Sequence, residues 1–242
     1  MMRGLILSYA FAALTLSACG QQAEHSPAHQ MAEDAADFST DKPAYLTQLM
    51  LIRGHLQAGA ALYAAGEAAM AATHMKHPED ELYAQLKPAL PAWGATDFAG
   101  ALQALAASVE GRAAPSQVEA DLANVRAAID AAADASNPSA RELLLASAAT
   151  LRTAADEFDI ALTDSAVTDI HEYQDAYGFM ITTLEYLTRF ESTDPAVQSA
   201  LATARAQAAL ALAVLPPAQT ATRAETIHAA AAQIEAAAQG LE

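Results

Sequence analysis

Alanine is the commonest residue in this chain, and it recurs in long runs that contain little glycine or proline. Alanine is the best helix former because it loses no side-chain entropy when a helix forms. Beta-branched and aromatic residues are few, the 10 glycines and 10 prolines lie mostly between the apolar segments, and no segment shows the strict two-residue alternation of a strand. The sequence therefore predicts an all-α fold.

The apolar spacing predicts about seven or eight helices with short connections, which favours an antiparallel helical bundle over residues 43–242. The first helix is predicted from Pro43 to about Met75, and along it Gly59 and Gly66 are expected to mark close contact with another helix. A break at Asn137-Pro138 allows a subdivision of the bundle into two halves near residue 137. The remaining helices are predicted over about residues 77–90, 97–111, 115–136, 139–162, 170–192, 194–215 and 219–238.

The N-terminal residues carry the parts of an export signal. Arg3 precedes an apolar run over residues 5–16, which is too short to span a bilayer comfortably. The run ends in Leu16-Ser17-Ala18-Cys19, which resembles the lipobox of bacterial lipoproteins. The resemblance implies a signal peptide over residues 1–18, cleavage before Cys19, and lipidation of Cys19 by acyl chains such as palmitate. The polar residues 19–42 are then expected to form a flexible tether.

Cys19 is the only cysteine in the chain, so lipidation would also account for an otherwise unexplained thiol. In the lipoprotein family, Asp directly after the cysteine indicates retention at the inner membrane. Gly20 and Gln21 stand there instead, and the resemblance therefore implies a lipid anchor on the periplasmic face of the outer membrane. The alternative is an ordinary secretory signal that happens to contain a cysteine.

The formal net charge of −17 argues against a nucleic-acid partner and against a basic face that docks on anionic lipid. Contact with the membrane is accordingly expected through the lipid anchor only. The chain has no nucleophile elbow, no phosphate-binding loop, no His-Glu-x-x-His helix and no Cys-x-x-Cys motif. We therefore predict a protein that is not an enzyme, for which an envelope protein is a partner to consider.

Histidines near the end of the first predicted helix form a candidate metal site. His74 and His77 are three residues apart, and Glu81 follows four residues later, so the three side chains can share one side of successive helical turns. Two imidazoles and a carboxylate are suitable ligands for iron, zinc or copper. The structural alternative is that His77, which precedes Pro78, belongs to a helix cap whose first turn contains Glu81.

Three further residues could complete this site or form a second one. His55 lies 19 residues before His74, or roughly 28 Å along a straight helix, so it can join the site only if the chain folds back. His171 and Asp175 are four residues apart and share a helix face. The alternatives are a hydrogen-bonded core role for His55 and a solvated helix surface for His171.

Exported all-α proteins of the imelysin type, including periplasmic iron-uptake lipoproteins, resemble this chain in export, helicity and acidity. Their hallmark is a His-x-x-Glu motif. Here His74 is followed three residues later by His77, and His171 by Gln174, so the resemblance concerns architecture and implies no site residue.

These observations lead to a prediction of a lipid-anchored periplasmic protein that binds a transition or divalent metal ion within a helical bundle. Its affinity for metal should fall below about pH 6, where imidazoles become protonated. The alternatives are a non-catalytic envelope scaffold without metal, and a carrier of an apolar ligand between the helices.

Overall fold

The computed structural model describes residues 37–163, 166–214 and 223–241. Helices make up most of this part of the chain, which confirms the predicted all-α bundle. The exceptions include a short antiparallel ladder of β1 (Leu162–Thr163) and β2 (Ala166–Val167), which pairs Leu162 with Val167. The helices are α1 (Lys42–Ala64), α2 (Ala68–His77), α3 (Ala84–Leu86), α4 (Ala99–Glu110), α5 (Pro115–Ala135), α6 (Ala140–Ile160), α7 (Ile170–Arg189), α8 (Pro195–Leu212) and α9 (Arg223–Gln239).

Local capping residues determine where several helices begin. The Asp41 side chain accepts a hydrogen bond from the backbone N–H of Ala44 at the start of α1. Ser139 and Glu142 form a reciprocal capping box at the start of α6, and Asp194 caps α8, in which Pro195 is the first residue. Such residues satisfy backbone N–H groups that have no partner within the helix, which is why these starts follow from sequence.

The prediction of one continuous helix from Pro43 to Met75 is wrong. α1 ends at Ala64, and Gly66 adopts a φ of 88°, a left-handed conformation that glycine adopts without strain. α2 then returns along α1, and a Cβ atom at Gly59 would meet the Met75 side chain. The predicted close contact at Gly59 is therefore confirmed, whereas Gly66 belongs to the turn and has no such contact.

The segment predicted as the second helix is also more irregular than its apolar spacing indicated. It consists of a π-helical turn, Pro78–Tyr83, the single turn α3, and a 3-10 helix, Lys87–Trp93, which ends at Gly94 in a left-handed conformation. Two prolines in the 3-10 helix, Pro88 and Pro91, remove backbone donors and prevent a continuous α-helix there.

Two groups of buried apolar side chains form the core. One is built mainly by α1, α2, α4 and α5, and the other mainly by α6, α7, α8 and α9. α1 packs against both α7 and α6, and it thereby connects the two groups. The subdivision near residue 137 stays a prediction.

α1 and α7 cross at a pair of glycines. A Cβ atom at Gly178 would collide with the carbonyl oxygen of Gly54, and a Cβ atom at Gly54 would collide with the Phe179 ring. The two backbones are therefore in direct contact. This crossing lies one residue from His55 on α1 and three residues from Asp175 on α7, and it fixes how those two side chains meet.

In the part of the chain that the structure describes, no helix combines the length and the hydropathy needed to cross a bilayer. The signal peptide over residues 1–18, the lipidation of Cys19 and residues 19–36 of the tether lie outside the described residues. Those assignments stay predictions.

Candidate metal centre

Three helices bring two histidines and one aspartate together in the interior of the bundle. His55 comes from α1, His74 from α2 and Asp175 from α7, and their exposed fractions are 5%, 0% and 6%. Polar groups are rarely so deeply buried unless they are paired or bind a ligand. A nitrogen from each imidazole and an oxygen from the carboxylate all lie within 4.8 Å of one another.

The carboxylate of Asp175 joins the two imidazoles through a single oxygen. Oδ1 lies 2.6 Å from Nδ1 of His55 and 2.8 Å from Nδ1 of His74. The Phe179 ring packs edge-on against the His55 ring, with the ring centroids 5.0 Å apart and the planes at 85°. The His55 ring is thus held by a hydrogen bond and by an aromatic contact from the same helix.

His74 is in hydrogen-bond contact through both ring nitrogens. Its Nδ1 faces Asp175, and its Nε2 lies 2.8 Å from Oε1 of Gln174, which is itself buried. If Asp175 and Gln174 both accept, each ring nitrogen must carry a proton and the ring is an imidazolium. If the Gln174 amide is flipped, its NH2 group donates to Nε2 and the ring carries one proton, on Nδ1. In either state the buried polar atoms of this ring are satisfied.

The electrostatics of Asp175 favour the ionised carboxylate. Burial by itself raises its pKa, but the charge and hydrogen bonds of His55 and His74 outweigh burial, and the pKa lies well below its ordinary value. The site therefore presents a buried negative charge next to two imidazole nitrogens. Such a combination of donors suits a divalent transition metal.

His171 lies at the solvent side of this group. Its ring is stacked on that of His74, with centroids 4.1 Å apart and planes at 17°, and its Nδ1 lies 3.9 Å from Oδ2 of Asp175. The His171 side chain keeps 35% of its surface exposed. Burial and the neighbouring His74 lower its pKa from 6.5 to about 4, so the ring is neutral at pH 7.

A pair of carboxyl groups lies beside these residues. Glu157 on α6 is only 4% exposed, and its side chain forms a hydrogen bond with Glu172 on α7. Burial, the bond to Glu157 and the charges of Asp175 and Asp169 raise the pKa of Glu172 from 4.5 to about 8. The two carboxyl groups therefore share a proton at neutral pH.

The structure brings together His55, His74 and Asp175, and it places His171 next to them. The fold-back of α2 along α1 is the condition under which His55 was expected to join the site, and it is met. The side chains of His77 and Glu81 lie outside the described residues, so their predicted role as ligands stays a prediction.

Gln174, Glu157 and Glu172 were not among the predicted site residues. One signal in the sequence could have identified Glu157, because it lies three residues after Ala154 and four before Ala161 on the apolar face of α6. A carboxylate on such a face needs a buried partner. Gln174 carries no comparable signal.

Comparisons of the chain with protein-family models, with curated proteins and with solved structures give no match.

Proposed function

We propose that this protein is a lipid-anchored periplasmic protein that binds a divalent transition metal ion through His55, His74 and Asp175. The observation that supports the proposal is the convergence of one carboxylate oxygen and two imidazole nitrogens in the bundle interior. Zinc, iron and copper are among the metals whose preferences fit two nitrogens and one oxygen.

Hydrogen bonds join the candidate ligands to one another, and a metal ion would have to break these bonds in order to bind. Two ligands of a tetrahedral ion at about 2.0–2.1 Å are roughly 3.3 Å apart. The nitrogens of His55 and His74 are 2.6 and 2.8 Å from the Asp175 oxygen, so each separation must grow by about 0.5–0.7 Å when metal replaces the bridging protons. Rotation of the side chains can provide this, and three protein ligands leave a fourth position for water.

Metal binding in this arrangement requires a free electron pair on each ligating nitrogen. The Nδ1 atom of each imidazole must lose its proton before it can donate an electron pair to metal. Apparent affinity should therefore fall as the pH decreases, because a doubly protonated imidazole cannot bind metal.

Metal-dependent stabilisation tests the proposal. The full chain, purified without a histidine tag and stripped with a chelator, is titrated with Zn²⁺, Fe²⁺ or Cu²⁺ while its melting temperature is recorded. A metal present at 100 times its dissociation constant stabilises the folded state by about 2.7 kcal/mol, which raises the melting temperature by roughly 5–11 °C for a domain of this size.

The double variant His55→Ala/His74→Ala should lose this stabilisation. His228→Ala is the matched control, because His228 is an exposed histidine that also faces a carboxylate, with Nε2 3.5 Å from Asp156. If none of the three metals stabilises the wild type, or if the double variant responds as the wild type does, the metal proposal is refuted.

The second candidate function is that of a metal-free envelope scaffold. It is favoured by the hydrogen bonds that Asp175 and Gln174 make with His55 and His74, because these bonds satisfy the buried groups and join α1, α2 and α7 without a metal ion. A wild type that melts at the same temperature with and without metal, together with a strongly destabilised Asp175→Asn variant, would support the scaffold.

The anchor has its own test, which is independent of the metal. Labelled palmitate supplied to cells that express the full chain should be incorporated into the wild type and absent from Cys19→Ala, and the wild type should fractionate with the outer membrane. Equal labelling of both proteins would contradict lipidation at Cys19.

A further inference from the structure

The two oxygens of Asp175 face different histidines. Oδ1 is the oxygen that contacts His55 and His74, whereas Oδ2 faces Nδ1 of His171 at 3.9 Å. His171 and Asp175 are four residues apart on α7, so they lie on the same side of the helix one turn apart. Asp175 therefore has an inner side toward the bundle core and an outer side toward His171.

The stacking of His171 on His74 decides whether these two rings can bind one ion. The electron pair of an imidazole nitrogen lies in the ring plane, so an ion bound by two imidazoles must lie close to both planes. The planes of His74 and His171 are 17° apart and the centroids 4.1 Å apart, so the planes meet only on the order of 10 Å away. A metal–nitrogen bond is about 2 Å long, and the two rings therefore cannot share an ion in this arrangement.

We propose that His171 Nδ1 and Asp175 Oδ2 form a second metal position, and that the Asp175 carboxylate bridges it to the inner ion held by His55 and His74. This inference rests on the proposed function. Paired metal sites in proteins hold their ions about 3.5–4 Å apart, and the two oxygens of Asp175 each face one of the two positions, as a bridging carboxylate requires.

The surroundings of His171 suit an outer ion. Its side chain is 35% exposed, so an ion can reach it from solvent and water can complete the coordination. The distance of 3.9 Å between Nδ1 and Oδ2 is somewhat longer than the roughly 3.3 Å between two ligands of a tetrahedral ion, and a small rotation of the exposed ring closes the difference.

Carboxyl groups near His171 offset the repulsion between two dications. Asp169 and Asp175 both act electrostatically on His171, and Glu172, which shares a proton with Glu157, lies close to both aspartates. Asp169 is held at the N-terminus of α7, where its Oδ1 accepts the backbone N–H of His171 at 3.0 Å. The negative charge around the outer position is thus supplied by groups fixed on α6 and α7.

Metal stoichiometry tests the second position. The full chain is loaded with Zn²⁺ or Co²⁺, separated from free ion and analysed for metal content, and binding is followed by calorimetry. We expect two ions per wild-type chain and one per His171→Ala chain. Two Co²⁺ ions joined by a carboxylate should also show magnetic coupling in the wild type that is absent from His171→Ala.

Matched variants separate this inference from the proposed function. His171→Gln keeps a polar side chain on α7 and should also bind one ion, His228→Ala should bind two, and Asp175→Asn should weaken both positions. A wild type that binds one ion, lost in His55→Ala/His74→Ala, retains the proposed function and overturns the second position. Retention of two ions by His171→Ala and His171→Gln overturns it as well, and a wild type that binds none overturns both.

Discussion

The crossing of α1 and α7 provides a substitution whose effect follows from geometry, Gly178→Ala. The added Cβ atom would collide with the carbonyl oxygen of Gly54 and would also reach the Cβ atom of Ala58, at 3.4 Å. Because the main obstacle is backbone, no side-chain rotation relieves the collision. The two helices must separate by about 1 Å to restore an ordinary van der Waals distance.

The cost can be estimated from known effects of overpacking. An extra methyl group in a well-packed core costs about 1–3 kcal/mol, while replacing a helical glycine by alanine returns about 0.5–1 kcal/mol. A rigid obstacle favours the upper end of the first range, so we expect a net loss of about 2 kcal/mol in the free energy of unfolding. For a domain of this size the melting temperature should fall by roughly 4–8 °C.

The assay is thermal and urea denaturation of the full chain in the presence of chelator. Gly100→Ala is the matched control, since Gly100 lies in α4 and a Cβ atom there meets nothing within 4 Å. That variant should gain about 0.5–1 kcal/mol from helix propensity alone. The two substitutions change the same atoms, so the difference between them isolates the helix crossing.

The same variant tests whether the crossing positions the candidate site. A separation of about 1 Å would lengthen the 2.6 Å contact between His55 and Asp175 beyond hydrogen-bond distance. Metal-dependent stabilisation should weaken in Gly178→Ala and remain intact in Gly100→Ala. A Gly178→Ala protein as stable as the wild type would refute the close approach of α1 and α7, and with it the geometric account of the site.

Two further substitutions test other parts of the structure. Glu172 has a pKa raised from 4.5 to about 8, so the folded state retains a proton that the unfolded state loses, and stability should fall as the pH rises from 4.5 to 8. Glu172→Gln should remove this loss of stability and be more stable than the wild type at pH 8.5 by about 1–2 kcal/mol, a value reduced for the partial exposure of Glu172. Stability that depends on pH in the same way in both proteins, measured in chelator, would contradict the shared proton. Ser139→Ala removes the capping box of α6 and should cost about 1 kcal/mol, measured by urea denaturation, and an unchanged midpoint would show that the cap contributes nothing.

Features with local causes could be predicted from the sequence. The all-α class follows from alanine content, and the helix starts at Ser139 and Pro195 follow from side chains that cap the next few backbone N–H groups. Each of these causes acts within one turn of helix. Tertiary contacts are not needed to infer them.

The turn at Gly66 could not be predicted in the same way. A glycine within a helical pattern costs only about 1 kcal/mol, so local preference does not decide between a continuous helix and a turn. The packing of α2 on α1, with Met75 against Gly59, decides it. Without that turn His55 would lie far from His74. The sequence alone therefore could not show that these two histidines belong to one site.

Asp175 shows why the sequence predicted the candidate metal site only in part. Its spacing from His171 indicated a shared helix face, but the same spacing occurs in ordinary solvated pairs. Burial of Asp175 depends on the contact of α7 with α1 and α2, which no local pattern encodes. The sequence therefore indicated the candidate metal ligands, but it could not show that they lie close together in the fold.

The small residues that dictate the helical class also make a buried polar site feasible. Glycines at the α1–α7 crossing bring two backbones into direct contact, and this places His55 and Asp175 within 2.6 Å of each other. Larger side chains at Gly54 and Gly178 would push the two helices apart and lengthen this contact. The nitrogens of His55 and His74 already contact the Asp175 oxygen, so a metal ion that entered would have to replace these hydrogen bonds. The proposed inner ion should consequently bind slowly, and the proposed ion at His171, which is partly exposed, should bind faster.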